Sequence, residues 1–153
     1  TANNEPRFRI DDAPQPVHLS KLVATTGADE VPIEMTEDFK CLATAVYFES
    51  RGEPLEGQLA VAQVIQNRVE SGRYASSICG VVYQPGQFTF ARNRSPALSS
   101  NDWKVAQAIA LIALTDSYRE VAPKAMSFHA TRVSPNWTDR RMVSRIGNHI
   151  FYR

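Results

Sequence analysis

Glu49 stands where a core residue is expected. It lies in "LATAVYFES", residues 42–50, and helical steps back from it reach Val46, Leu42 and Phe39. An ionised carboxylate on such an apolar stripe is costly unless it is paired or hydrogen-bonded. Low-dielectric surroundings disfavour its charged form, so its pKa is expected to rise. A carboxyl group kept protonated near neutral pH is what a glycosidase needs to give a proton to a leaving sugar oxygen. The competing reading is a structural ion pair, with Arg51 or Arg68 as the partner. Glu53 and Glu56 flank a break just beyond, "RGEPLEG". Glu56 suits the positive end of the following helix, and Glu53 suits a cap or a pair with a basic side chain. Either can serve as a second catalytic carboxylate, but position singles out neither.

Other chemistries lack their residues. The three histidines, His18, His129 and His149, form no HExxH or comparable pair, so no metal site is expected. There is no GxSxG, no CxxC, and no glycine-rich phosphate loop, so no nucleotide or other cofactor is expected either. Cys41 and Cys79 are two buried thiols or one disulfide, and their spacing leaves both open. Tyr83, Gln84, Gln87, Phe88, Phe90, Trp137, Asn148 and Tyr152 cluster outside the helical stretches. Flat apolar rings beside amides and hydroxyls suit a carbohydrate site, and each taken singly suits ordinary sheet packing.

The elements that must position these groups are legible from period and punctuation. A first helix begins at Thr36, a candidate N-cap followed by Glu37 and Asp38, and stops at Gly52. A second, over 54–71, has Pro54 in its first turn and Leu55, Leu59, Ala62, Ile65 and Val69 on one face. A third, over 101–118, is capped by Ser100 or Asn101 and presents Trp103, Ala106, Ala110, Ala113 and Ser117. Between the last two, "QFTF" alternates like a short strand after the turn signal Pro85 and Gly86. The C-terminal part reads as strands, "AMSFHATRV" and then "MVSRI" and "HIFYR" joined by Gly147 and Asn148, a hairpin signal. Helices followed by a small antiparallel sheet make an α+β domain. Residues 1–35, with Pro6, Pro14, Pro16 and Pro32, read as a tail or linker, and residues 36–153 as the domain.

Bulk numbers agree with one compact domain: 153 residues, 43% hydrophobic and 22% charged. The longest apolar run, 106–114, is far too short to span a bilayer. Residues 1–56 hold five Lys/Arg and eleven Asp/Glu, whereas 119–153 hold seven and two. That basic end can meet a polyanion, but it has no long basic run and no nucleic-acid motif, so attraction between the two halves is preferred and no nucleic-acid partner is expected.

At this point the blocks "LATAVYFESRGEPLEGQLAVAQVIQNRV", "SICGVVYQPGQFTF", "SFHATRVSPNW" and "RIGNHIFYR" together resemble the SleB/CwlJ-type cell-wall hydrolases, the spore-cortex-lytic enzyme family. The similarity runs over about residues 38–153, in order. The resemblance implies a lysozyme-like fold, a helical core with a small antiparallel sheet lining a cleft. It implies a peptidoglycan-cleaving enzyme whose catalytic acid is Glu49. Protonated Glu49 would serve the bond between N-acetylmuramic acid and N-acetylglucosamine, then take a proton from the muramyl C6 hydroxyl to close a 1,6-anhydro ring. Attack by water instead would make the enzyme a muramidase and call for a second carboxylate. A non-catalytic peptidoglycan-binding module and an amidase are the remaining readings. Gln87, Phe88, Thr89, His129, Asn148, His149 and Tyr152 are expected to bind substrate. The expected partner is the glycan strand, met by a monomer. A Cys41 to Cys79 disulfide fits an exported, periplasmic or envelope protein whose leader has been removed, since "TANNEPRFRI" has no leader character. Relatives that act on spore cortex often carry a separate binding domain. None is read here, so a vegetative envelope role is expected rather than germination.

Overall fold

The break at 51–54 sets the layout. A computed structural model describes residues 18–88 and 94–153. Helix α2, Thr36–Ser50, ends where Arg51 N–H bonds the Tyr47 carbonyl and Gly52 takes a φ of +81°. That left-handed backbone is open to glycine at no steric cost. Pro54 then stands one residue ahead of helix α3, Leu55–Ser71, at its N-cap rather than inside its first turn.

Upstream, residues 18–35 are more than a linker. They form helix α1, Leu19–Thr25, and two single 3₁₀ turns, Ala28–Glu30 and Ile33–Met35. Leu19 is only 2% exposed and belongs to the main core. The second 3₁₀ turn runs straight into α2. Thr36 N–H therefore bonds the Ile33 carbonyl and Thr36 is already helical, so Met35 holds the N-cap position that sequence assigns to Thr36.

Phe39, Leu42 and Val46 of α2 are buried as their spacing requires. In the α3 stripe Leu59, Ala62 and Ile65 are buried and Leu55 and Val69 half-buried, and the opposite face is also dry. Leu59, Ala62 and Ile65 join the helical core, while Ala60, Val61 and Val64 join a second cluster with Ala122, Ala125 and Phe151. Thus α3 is a shared wall between helices and sheet. Gly57 marks the closest approach: a Cβ there would lie 3.3 Å from Ile146 Cγ2.

Two further helices complete the helical layer. Helix α4, Ile78–Val82, was not anticipated by period, being a single short turn and a half capped by Ser77 Oγ accepting from Gly80 N–H. Helix α5, Asn101–Leu114, is capped by Ser100 Oγ accepting from Trp103 N–H. It stops short of residue 118. Thr115 Oγ1 bonds the Leu111 carbonyl, Asp116 turns to a φ of +51°, and Ser117 N–H folds back on Ile112. Ser117 is consequently exposed, while Ala106, Ala110 and Ala113 are buried.

The sheet comprises β1, Ser127–Ala130, β2, Met142–Ile146, and β3, His149–Tyr152, in the antiparallel order β1-β3-β2. Gly147, at φ +55°, and Asn148 form the β2 to β3 turn foreseen from the sequence. Phe88 lies outside any strand and Gln87 in a turn, and Thr89 and Phe90 fall outside the described residues.

Cys41 and Cys79 are bridged, with Cα atoms 5.3 Å apart, which staples α4 to α2. The bridge closes a separation of 38 residues, so chain entropy predicts that replacing both cysteines by serine costs about 3–4 kcal/mol of stability. Urea unfolding of the oxidised protein and the double variant measures the difference; equal midpoints would refute it.

Candidate active site

Glu49 is the penultimate residue of α2. Its side chain is half-buried, and its Oε1 is sealed from solvent. Of the two suggested ion-pair partners, Arg51 turns to Tyr47, donating from Nη1 to the phenol oxygen at 2.9 Å and lying over its ring. Arg68 is a cation within electrostatic reach of Glu49.

Arg68 is 6% exposed. Its Nε donates to the Met126 carbonyl at 2.7 Å and its Nη1 to Gln87 Oε1 at 3.1 Å. The guanidinium lies between the Tyr74 and Phe88 rings, at 4.8 and 5.5 Å from their centroids. Burial lowers its pKa from the ordinary arginine value; Tyr74 opposes that, Arg140 adds to it, and Glu49 opposes it last. One side chain thus joins α3, the approach to β1 and the 84–88 turn beside Glu49. The sequence signal for it is the same as for Glu49: Arg68 shares the stripe of Val61 and Val64, a charge on a dry helix face.

A second charged group pins the sheet. Glu53 Oε1 accepts from Asn148 N–H at 2.7 Å, and its Oε2 from Asn148 Nδ2 at 3.2 Å. His149 Nδ1 stands 3.3 Å from Oε1. A Cβ on Gly147 would lie 2.7 Å from Pro54 Cδ, so the turn needs glycine for space as well as for its φ. Of the two roles read for Glu53, its side chain does not cap α3, and the basic side chain beside it is His149, with both carboxylate oxygens taken by the hairpin turn. Glu56 remains in the first turn of α3.

The strand register sorts the remaining expected binding residues. Phe128 faces Phe151 and Ala130 faces His149; Ser127 faces Tyr152 and His129 faces Ile150. Directly opposed residues share a face and neighbours alternate. Phe128, His149 and Phe151 therefore lie together on the α3 side. Their rings touch, with Phe128 at 5.3 Å from His149 and 6.3 Å from Phe88. Gln87 and Phe88 join this side through Arg68. His129 and Tyr152 are on the other side, hydrogen-bonded at 2.7 Å and stacked, with Trp137 against both. Asn148 is committed to Glu53. Among the described residues no three His, Cys, Asp or Glu converge as a metal site. A cavity of about 420 Å³ lies between the 23–30 segment and α5, away from these groups.

A helical core with a three-stranded sheet against its central helix, and a carboxyl group ending the preceding helix, defines a lysozyme-like α+β domain. The chain belongs to the cell wall hydrolase family, whose profile matches residues 52–152, beginning just after Glu49. It is 36% identical over 118 residues to a spore cortex-lytic enzyme of Bacillus subtilis, covering 74% of this chain and 37% of that protein. With the Oceanobacillus iheyensis spore cortex-lytic enzyme the identity is 34%, covering 74% and 41%. The chain thus spans about two fifths of the length of these relatives. Among solved structures, the catalytic domain of the germination-specific lytic transglycosylase SleB from Bacillus anthracis superposes with a TM-score of 0.69 at 33% identity, covering 80% of this chain and all of that one. The Bacillus cereus SleB catalytic domain gives 0.63 at 31%, covering 80% and 95%.

Two outcomes follow from the Glu53 junction. Replacing Glu53 by alanine strips Asn148 of its acceptor and His149 of its neighbouring carboxylate and should cost about 1–3 kcal/mol, read by urea unfolding; an unchanged midpoint would contradict the anchoring role. His149 also gives a pH dependence. Burial holds its pKa below the ordinary 6.5, and Glu53 only partly restores it. The folded chain then binds fewer protons than the unfolded one, so stability is complete above 6.5 and falls as pH drops from there through the lowered folded value. His149→Gln should flatten that part of the stability curve, measured as unfolding free energy against pH.

Proposed function

We propose that this domain cleaves peptidoglycan strands between N-acetylmuramic acid and N-acetylglucosamine as a lytic transglycosylase, with Glu49 as acid and then base. The observation that carries the reading is that Glu49 ends α2 with one oxygen sealed and the residue still half open, while Glu53, its near neighbour in sequence, is engaged at both oxygens by the hairpin. A hydrolase that activates water wants a second carboxylate, and Glu53 is committed elsewhere. A mechanism with one carboxyl group needs only Glu49.

In the first step the Glu49 carboxyl proton passes to the glycosidic oxygen as the bond from muramyl C1 breaks. The carboxylate left behind is stabilised by the nearby Arg68 charge. In the second step the muramyl C6 oxygen bonds to C1 and gives its proton to Glu49, which restores the acid. Water does not enter, and the product carries a 1,6-anhydro ring. Gln87 and Phe88, held by Arg68, and the Phe128 and His149 rings form the adjoining wall. The similarity to the catalytic domain of the Bacillus anthracis lytic transglycosylase supports this outcome. We place the catalytic unit at residues 36–153, buttressed by α1, and its action outside the cytoplasm at the cell wall, where a disulfide persists.

Purified sacculi incubated with the protein should release anhydro-muropeptides, identified by mass spectrometry. Glu49→Gln should lose at least about a hundredfold of that activity while keeping its fold by circular dichroism. Reducing-end products would instead indicate a muramidase, and free peptides an amidase. Binding without any release would sink the enzymatic reading.

A further inference from the structure

The outer face of the sheet carries a built group that neither fold nor catalysis uses. Trp137 lies edge-on to Tyr152 at 5.2 Å and to His129 at 5.3 Å. His129 Nδ1 is 2.8 Å from the Ala130 carbonyl and its Nε2 2.7 Å from the Tyr152 hydroxyl. Over Trp137, at 4.1 Å from its centroid, sits the Arg140 guanidinium. Its Nη1 donates to Ser127 Oγ at 2.7 Å, and Ser127 is itself buried.

Arg140 is therefore held in one orientation by a ring and a buried hydroxyl. A guanidinium has five N–H donors, and this one makes a single hydrogen bond among the described residues. Among the described residues the carboxylate paired with it is Asp139, 3.9 Å away and 86% exposed, against 34% for Arg140. Such a surface pair contributes little. Arg68 lies close enough to Arg140 for the two charges to oppose each other. Both face the 126–127 backbone, Arg68 through the Met126 carbonyl and Arg140 through Ser127. The stretch 119–153, which holds this face, carries seven Lys/Arg against two Asp/Glu. Preorganised planar donors on an aromatic platform, with uncompensated positive charge, match a carboxylate next to an apolar or sugar ring face.

We propose that Arg140, Trp137 and Tyr152 form a subsite for a carboxylate-bearing glycopeptide, with Arg140 taking the carboxylate of the peptide stem and the rings packing against the moiety that bears it. This rests on the glycan-cleaving reading above and adds to it: the site would distinguish strands that keep acidic stems from strands that have lost or amidated them.

The test measures binding in a Glu49→Gln background, so that ligand survives. Three soluble ligands are titrated calorimetrically: a muramyl disaccharide with a free-carboxylate stem, the same with the stem carboxylates amidated, and the bare oligosaccharide. The free carboxylate should bind about tenfold or more tightly than the amidated form, as expected for a charge-assisted pair. Adding Arg140→Gln should erase that difference and leave the bare oligosaccharide unaffected, and Arg140→Lys should retain part of it. Arg140→Gln weakening all three alike, or none, would overturn the subsite. Cleavage of sacculi by the wild type with no carboxylate preference would also overturn it while leaving the catalytic reading intact. Failure of the wild type to cleave at all would remove both.

Discussion

The contact of Glu53 with the hairpin turn is the constraint on which the site depends. The helical layer and the sheet are built from opposite ends of the domain, and their relative placement must be set somewhere. Glu53 lies 95 residues from Asn148, yet its carboxylate receives the Asn148 backbone N–H directly. Both partners are at breaks: Glu53 where α2 gives way to α3, and Asn148 where β2 turns into β3. Breaks carry backbone groups with no partner in their own element. The Glu53 side chain satisfies the turn's Asn148 N–H and brings the sheet to the end of α2 that holds Glu49. Gly147 is required by the closeness of that join, since a side chain there would strike Pro54.

Helix α3 transmits this placement. Its two buried faces serve two clusters, one with α2 and α5 and one with Phe151 and the 122–125 segment. A helix dry on both sides cannot rotate without expelling one set of side chains. At its far end Arg68 stays inside that wall because its donors are matched to the Met126 carbonyl and Gln87 and its faces are covered by rings. A buried guanidinium is tolerable only on such terms. The result is a fixed positive charge within electrostatic reach of Glu49.

Much of this was legible in the sequence. The α2 and α3 helices, the break between them, the cap at Ser100 and the Gly147 and Asn148 turn all rest on residues within a few positions of each other. The misreadings have local causes that competed with those signals. Thr36 has the chemistry of a cap, but a preceding 3₁₀ turn already supplies the carbonyl for its N–H. The α5 pattern continues past Leu114, but Thr115 and Asp116 close the helix early. Helix α4 is too short to show a period. The likeness of four sequence blocks to cell-wall hydrolases carried the lysozyme-like fold further than period alone.

By itself, then, the sequence determined the elements, their order and the anomaly of a carboxyl group on an apolar stripe, because period, caps and turns are short-range physics. Tertiary structure decided what each polar group near that stripe is for. It gave Arg51 to Tyr47, Arg68 to the neighbourhood of Glu49 and Glu53 to the hairpin. It also divided the expected binding residues between two faces of the sheet, His149 inward and His129 and Tyr152 outward. Side-chain direction on a strand follows register, and register here is set by pairing between β1 and β3, which are separated by β2 in the chain. No local pattern encodes that pairing, so only the folded arrangement could assign it.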